Sequence, residues 1–190
     1  MRISSSTGSF HRAFLSLTAV CCLATLFLPG CATGPAATKG EIYYTQFSLF
    51  HEKDAWLTTN YRKGVLVPIN TQVSFLKANS KEIFIQLPDA STLKIVNARK
   101  FSGVDVEGVF NRTLGKEKVD LDKFSPDEQN NIMAGIVAVG MSKDAVIKAL
   151  GYPPKHKTPS LDGNQWRYWK NRYGTMLVTF ADGRVSDIKK

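Results

Sequence analysis

The residues that could do chemistry in this chain are few, and their spacing forms no catalytic or metal-binding group. His51 and His156 are far apart in the sequence, and each has lysines as neighbours rather than a second ligand. Catalytic metals need several ligands held together, commonly two of them a few residues apart. No serine lies in a G-x-S-x-G sequence, and no glycine-rich phosphate loop occurs. We therefore predict no catalytic residue, no metal and no cofactor.

Paired carboxylates are the remaining signal for enzymatic chemistry. The pair Asp105 and Glu107 and the pair Asp120 and Asp122 have the residue types that glycoside hydrolysis uses. The first pair lies at a predicted helix start and the second in a charged linker, where capping and solvated roles are common. We expect that the chain is not an enzyme, and an envelope hydrolase is the least favoured alternative.

The N-terminus has the three parts of a secretory signal. Arg2 and Arg12 supply a basic region, and residues 13–28 are mostly apolar. This apolar stretch is shorter than a typical transmembrane helix, and the small residue Gly30 follows it. We therefore predict that residues 1–30 are a signal peptide, with an uncleaved membrane anchor as the alternative.

The sequence Leu28-Pro29-Gly30-Cys31 resembles the lipobox of bacterial lipoproteins. The resemblance implies that Cys31 is the lipid attachment residue and the first residue of the mature chain. Ala32 follows it, which implies sorting to the outer membrane, on the periplasmic side. Cys21 and Cys22 would leave with the signal, so that no thiol would remain for a disulfide or a metal. Several acyl chains would give durable anchoring.

The chain is basic, with a formal net charge of +9 over 190 residues. Without residues 1–30, which contain Arg2 and Arg12 and no acidic residue, 23 basic and 16 acidic residues remain, a net charge of +7. This excess suits an anionic lipid, the cell wall or an acidic protein surface. The export signal argues against nucleic acid as a partner, and the charge could also serve only solubility.

Two short helices are predicted in the last third of the chain. Ser125-Pro126-Asp127-Glu128 combines an N-cap serine, proline at the first helical position and a capping-box glutamate, and Gly135 ends this helix. Ser142 caps the second helix, which Gly151 ends. Both helices are too short to persist without packing against other elements.

Three strands follow the second helix, from Gln165 to Lys170, from Thr175 to Phe180 and from Val185 to Ile188. The first two runs alternate in polarity, and Asp182-Gly183 is a strong hairpin signal before the third. A three-stranded antiparallel meander covered by the two helices is the expected arrangement.

The pattern G-M-S-K-x-x-V-x-x-x-L-G-x-P, then W-x-Y, then V-T-F-x-D-G-x-V resembles the BamE (SmpA/OmlA) family of outer-membrane lipoproteins. The match covers residues 135–188. It implies an αα-βββ fold and contact with the β-barrel assembly machinery or an associated lipid. The N-terminal part of the chain has no counterpart in the compact pattern of this family.

The N-terminal half is predicted to form a small β-barrel or a curled antiparallel sheet. Strand-like runs cover residues 42–50, 64–69, 72–77, 82–87 and 92–97, with a polar loop containing Trp56 at residues 51–62. The run from Gly64 to Val73 weakly resembles bacterial SH3-like domains. A helix then starts at Ser102, with an apolar face of Val106, Val109, Phe110, Thr113 and Leu114.

The chain is therefore expected to be α+β, with five segments in order. They are the signal peptide 1–30, a tether 31–40, a β-rich domain with a closing helix 41–115, a charged linker 116–124 and a BamE-like domain 125–190. The charged linker marks the domain boundary.

The candidate binding residues lie in the C-terminal part. Trp166 and Tyr168 are assigned to the core. Tyr, Trp and Arg are enriched at binding hot spots, and the contact candidates near the meander are Arg167, Trp169, Arg172 and Tyr173. The preceding loop adds Lys155 and Lys157, which suit an anionic partner.

We therefore expect a lipid-anchored periplasmic binding module of the outer membrane that assists envelope assembly through protein contacts. A cell-wall or ligand-binding lipoprotein that acts through its SH3-like half is an alternative. An inhibitor protein is another, because the BamE-like arrangement also resembles that of β-lactamase inhibitors.

Overall fold

A computed structural model of the chain describes Met1 and residues 34–190. The predicted signal peptide and Cys31 lie outside the described residues. Residues 34–190 belong to one compact unit. This part of the chain is α+β and contains eleven strands and four helices.

A curled, half-barrel sheet forms most of the N-terminal half, as predicted. Its strands are β1 (Ile42–Thr45), β3 (Ala55–Leu57), β5 (Gln72–Ala78), β6 (Glu82–Gln86), β7 (Thr92–Val96) and β8 (Leu114–Gly115). They lie in the order β3-β7-β6-β5-β1-β8, and all neighbours are antiparallel except β3 and β7. The strands β2 (Leu49–His51) and β4 (Val65–Val67) pair with each other in a separate ribbon.

The prediction of a polar loop at residues 51–62 is wrong for its central residues. Ala55–Leu57 form β3, which pairs in parallel with β7, and Trp56 opposite Ile95 is buried. A strand of three residues between polar neighbours is too short for polarity alternation to show. Its partner, β7, lies far away in the sequence, so no local signal indicates the pairing.

Two helices follow β7. They are α1 (Arg99–Ser102) and α2 (Val106–Thr113). The predicted helix start at Ser102 is wrong, because Ser102 ends α1 and the N-cap of α2 is Asp105. The Asp105 carboxylate accepts a hydrogen bond from the Gly108 amide at 2.8 Å. The predicted apolar face is confirmed, since its five members are all buried: Val106, Val109, Phe110, Thr113 and Leu114.

The next two helices begin at the predicted caps. They are α3 (Pro126–Ala134) and α4 (Lys143–Leu150). Ser125 and Glu128 form the capping box of α3, and the Ser142 hydroxyl accepts from the Ala145 amide at 3.2 Å in α4. Gly135 closes α3 in the left-handed conformation, at φ 65°.

The predicted meander consists of β9 (Gln165–Trp169), β10 (Thr175–Ala181) and β11 (Arg184–Lys189), with β10 in the centre. Trp166 and Tyr168 are buried, as predicted. One hydrophobic cluster joins the inner face of the meander to α3 and α4, and it also includes Ile69 from the N-terminal half. A second cluster fills the half-barrel under α2. The predicted domain boundary at residues 116–124 stays a prediction.

A single carboxylate joins the N-termini of α3 and α4. Glu128 accepts from the Ser142 amide at 2.8 Å through Oε1 and from the Ser125 amide at 3.2 Å through Oε2. Negative charge is favourable at helix N-termini. Burial raises the pKa of the Glu128 carboxyl, but hydrogen bonds from Ser142 and Ser125 outweigh burial and bring this pKa below its ordinary value of 4.5.

We expect Glu128→Gln to weaken the acid dependence of stability. Because the folded state lowers the pKa of Glu128, the carboxylate stabilises the fold above its unfolded pKa, and this contribution is lost as the pH falls through the folded pKa. The native free energy of unfolding should therefore decrease as the pH drops below 4.5, and the variant should show a smaller decrease. Denaturant unfolding at a series of pH values measures both, with Asp127→Asn as the control. Equal slopes for native protein and Glu128→Gln would contradict the assignment.

At the other ends of the same helices lies one guanidinium. Arg62 Nη2 donates to Gly135 O at 2.6 Å and to Ala149 O at 3.3 Å, and Nη1 donates to Leu150 O at 3.3 Å. Burial lowers the pKa of Arg62 to about 10, so that the side chain stays charged at neutral pH. Since α3 and α4 both begin near Glu128 and end near Arg62, they run in the same direction.

Two neutral side chains of the N-terminal half complete this contact. Ser48 Oγ donates to Ile132 O at 2.6 Å, and Asn60 Nδ2 donates to Leu150 O at 2.6 Å and to Tyr152 O at 3.2 Å. The last carbonyls of a helix have no partner within the helix. Donors from residues 48–62 therefore satisfy the C-terminal ends of helices that follow much later in the chain.

Candidate partner-binding site

The turn between β9 and β10 presents the most exposed aromatic ring among the described residues. Tyr173 is 88% exposed, and the Arg172 guanidinium carbon lies 5.7 Å from the centre of its ring. The Asn171 carboxamide oxygen accepts from the Tyr173 amide at 2.9 Å and from the Gly174 amide at 2.8 Å. These hydrogen bonds brace the backbone of the turn, while the side chains of Arg172 and Tyr173 face solvent.

Arg167 and Trp169 lie on the outer face of the meander, as the alternation of β9 predicts. Arg167 pairs with Leu177 of β10, and Trp169 pairs with Thr175 of the same strand. Both are half-buried, and Arg167 Nη1 donates to Thr175 Oγ1 at 3.3 Å. The indole nitrogen of Trp169 is fully shielded from solvent and has no hydrogen-bond partner among the described residues. Trp169 thus offers less contact surface than Tyr173.

The open edge of β9 is covered by two other segments. The Arg62 amide donates to Trp169 O at 3.3 Å and to Lys170 O at 3.2 Å. Nearer the start of the strand, the Arg167 amide donates to Thr158 Oγ1 at 3.0 Å. A partner strand could not extend the meander along these positions, because their backbone groups are already bonded. A partner that approaches this edge would instead contact side chains.

The loop that carries Lys155 and Lys157 packs against α1. The Lys155 amide donates to Phe101 O at 2.7 Å, and the Lys155 ammonium group donates to Pro159 O. The His156 ring meets the Phe101 ring edge-on, with centres 4.8 Å apart. Burial lowers the pKa of His156, and the charges of Lys157 and Lys100 lower this pKa further. Both Lys155 and Lys157 are exposed.

The predicted binding residues therefore form two groups. Arg172 and Tyr173 lie at the tip of the β9–β10 turn. Lys155 and Lys157 lie in the loop that meets the centre of β9 through Thr158, which accepts from the Arg167 amide. The exposed cations Arg99 and Lys100 were not predicted as binding residues, although α1 places them beside this loop. Their only local signal is that they are adjacent in the sequence.

A small cavity lies between the half-barrel and the start of this loop. Its volume is about 30 Å³, and its lining includes Trp56, Asn60, Arg112 and Tyr152. The Trp56 indole nitrogen and the Asn60 carboxamide oxygen have no hydrogen-bond partner among the described residues. This volume suits one or two water molecules.

Within the part of the chain that the structure describes, no group of three or more His, Cys, Asp or Glu side chains is arranged to hold a metal ion. No helix in residues 34–190 is long and apolar enough to cross a membrane. In comparisons with protein-family models, curated proteins and solved structures, nothing matched this chain. The likeness to BamE and to SH3-like domains therefore remains a prediction.

Proposed function

We propose that this chain is a lipid-anchored binding module of the bacterial outer membrane that assists envelope assembly by holding a protein partner. The observation that carries the proposal is the exposed side-chain pair of Arg172 and Tyr173 on a hairpin turn braced by its own hydrogen bonds. Aromatic and arginine side chains dominate binding hot spots, and a rigid turn loses little entropy when it binds.

The fold of residues 125–190 supports a BamE-like domain. Two helices and a three-stranded meander follow in that order, and their buried side chains share one hydrophobic cluster. By this resemblance, the β-barrel assembly machinery is the first partner to test. The lipid anchor would be Cys31, on the grounds of its lipobox-like sequence.

Affinity purification of the full-length chain from mildly solubilised envelopes tests the proposal. The chain carries a C-terminal tag, and mass spectrometry identifies the proteins recovered. We expect native protein to recover barrel-assembly components, and Tyr173→Ser to reduce this recovery about thirtyfold, the effect of losing one hot-spot residue. Lys53→Gln, an exposed change away from the turn, is the control and should leave recovery unchanged.

The lipid anchor is tested by a further variant in the same experiment. Cys31→Ser should leave an unlipidated precursor or a periplasmic species, so that the protein is lost from the outer-membrane fraction. Processing and fractionation identical to native protein would refute the anchor. Recovery by Tyr173→Ser equal to that by native protein would refute the turn as the contact surface.

A further inference from the structure

The chain enters the fold at one end of the half-barrel sheet. Gly34 lies against Ala78, the last residue of β5. The Gly40 amide donates to Phe75 O at 2.8 Å, so residues 34–40 run back along β5 from its C-terminal end. Cys31 precedes Gly34 by three residues, a span of about 10 Å at most. A lipid at Cys31 would therefore hold this end of the sheet close to the membrane, an argument that rests on the proposed anchor.

Three segments that are distant in sequence meet at this end. The turn after β5 contains Lys81, whose carbonyl accepts from the Asn97 amide at 2.8 Å. Asn97 follows the last residue of β7, and α1 begins two residues later. Lys155 joins α1 through its amide, which donates to Phe101 O at 2.7 Å. The β5–β6 turn, α1 and the loop at residues 155–157 are therefore neighbours.

Five exposed cations lie on these three segments. We call them the entry-end surface: Lys81, Arg99, Lys100, Lys155 and Lys157. None of them forms an ion pair with a carboxylate of residues 34–190.

Three acidic residues lie near the entry-end surface and offset part of its charge. Glu82 lies 3.9 Å from Lys94 Nζ, so this pair adds no net charge. Asp105 caps α2, and Glu107 is exposed in its first turn. Five cations against these two remaining carboxylates leave a net charge of +3 at this end. Asp162 is also exposed, a few residues after Lys157 in the same loop, and counting it leaves an excess of +2.

We propose that the entry-end surface faces the membrane and binds anionic lipid headgroups. Basic residues next to a lipid anchor gain attraction from an anionic leaflet, and the gain adds over the residues that reach it. Here the chain entry and the unpaired cations lie at the same end of one sheet.

Vesicle binding by residues 32–190 tests this surface without any lipid anchor. These residues belong to one compact unit that contains both hydrophobic clusters and every described strand and helix, so the segment can be produced alone. Co-sedimentation is measured with vesicles of phosphatidylcholine alone and of phosphatidylcholine mixed equally with phosphatidylserine or phosphatidylglycerol. We expect binding to both anionic mixtures, similar for the two headgroups and reduced by salt, and none to phosphatidylcholine alone.

Two triple variants distinguish the effect of where charges are removed from the effect of how many are removed. One neutralises the entry-end surface: Lys81→Gln, Arg99→Gln and Lys100→Gln. The control removes three exposed charges elsewhere: Lys53→Gln, Lys63→Gln and Lys118→Gln. Each charge at the membrane contributes about fivefold in partitioning, so the first variant should bind about a hundredfold more weakly and the control almost unchanged. No residue of α1 is buried, so the first variant should keep the native thermal unfolding.

Equal weakening in both triple variants, or equal binding to neutral and anionic vesicles, would overturn the proposal. Absence of binding to every vesicle would do the same and would favour an acidic protein or the cell wall as the ligand of these cations. A wrong assignment of the lipid anchor is detected separately. It would appear in the fractionation of Cys31→Ser and would leave the vesicle result unchanged.

Discussion

Replacing Arg62 by methionine is expected to lower the free energy of unfolding by about 4 kcal/mol. The change removes the hydrogen bonds that Gly135 O and Ala149 O accept from Arg62, while Leu150 O keeps its hydrogen bond from Asn60. A buried carbonyl left without a donor costs about 1–3 kcal/mol. Methionine retains an unbranched apolar chain beside the Phe50 ring, which the guanidinium carbon now approaches to 4.4 Å. Denaturant unfolding measures the loss.

Two further variants define the cause. Arg62→Lys keeps the charge but lacks the planar fork that reaches carbonyls of both helices, so its stability should lie between those of native protein and Arg62→Met. Arg172→Met removes an exposed arginine and should change the free energy of unfolding by less than about 0.5 kcal/mol. If Arg62→Met were as stable as Arg172→Met, Arg62 would not hold the two helices together.

Residues 125–190 produced alone are expected not to fold. Donors of Ser48, Asn60 and Arg62 would be missing from the carbonyl ends of α3 and α4. Ile69, which is buried in the same cluster as the meander, would be missing too. A domain of about 60 residues is marginally stable even with a complete core. The isolated segment should therefore lack both a cooperative thermal transition and dispersed amide resonances.

The matched control is the segment 32–190 under the same conditions, which should show both properties. When a separate segment of residues 34–124 is mixed with the 125–190 segment, a cooperative transition should return in part. The reason is that the hydrogen-bond donors of the N-terminal half are then present. A sharp transition of the isolated 125–190 segment would instead support the domain boundary predicted at residues 116–124.

Local signals in the sequence predicted the C-terminal half well. Ser125 and Ser142 cap their helices through contacts within three residues, and Asp182-Gly183 forms its turn from its own backbone preferences. Such features depend on a few adjacent residues, so a pattern can indicate them. The half-barrel strands β5, β6 and β7 were likewise predicted from their alternation and turns.

Long-range contacts were not predictable in this way. The pairing of β3 with β7 and the role of Arg62 both join segments far apart in the chain, and neither leaves a periodic pattern. The same limit applies to the candidate site. Alternation placed Trp169 on the outer face of β9, but only the fold shows that its indole nitrogen is shielded while Tyr173 is exposed. The neighbouring positions of Lys155 and α1 also follow from tertiary packing alone.

The sequence distance between Arg62 and its acceptors also affects the timing of folding. Arg62 bonds to Gly135 and Leu150, which lie 73 and 88 residues further along the chain. At about 5–20 residues per second, a ribosome makes Leu150 about 4–18 seconds after Arg62. Until Gly135 is made, Ser48 O is the only one of these carbonyl acceptors of the Arg62 guanidinium that is already present in the chain. The bonds from Arg62 to α3 and α4 therefore cannot form until synthesis has passed Gly135 and Leu150, however early the strands of the half-barrel pair.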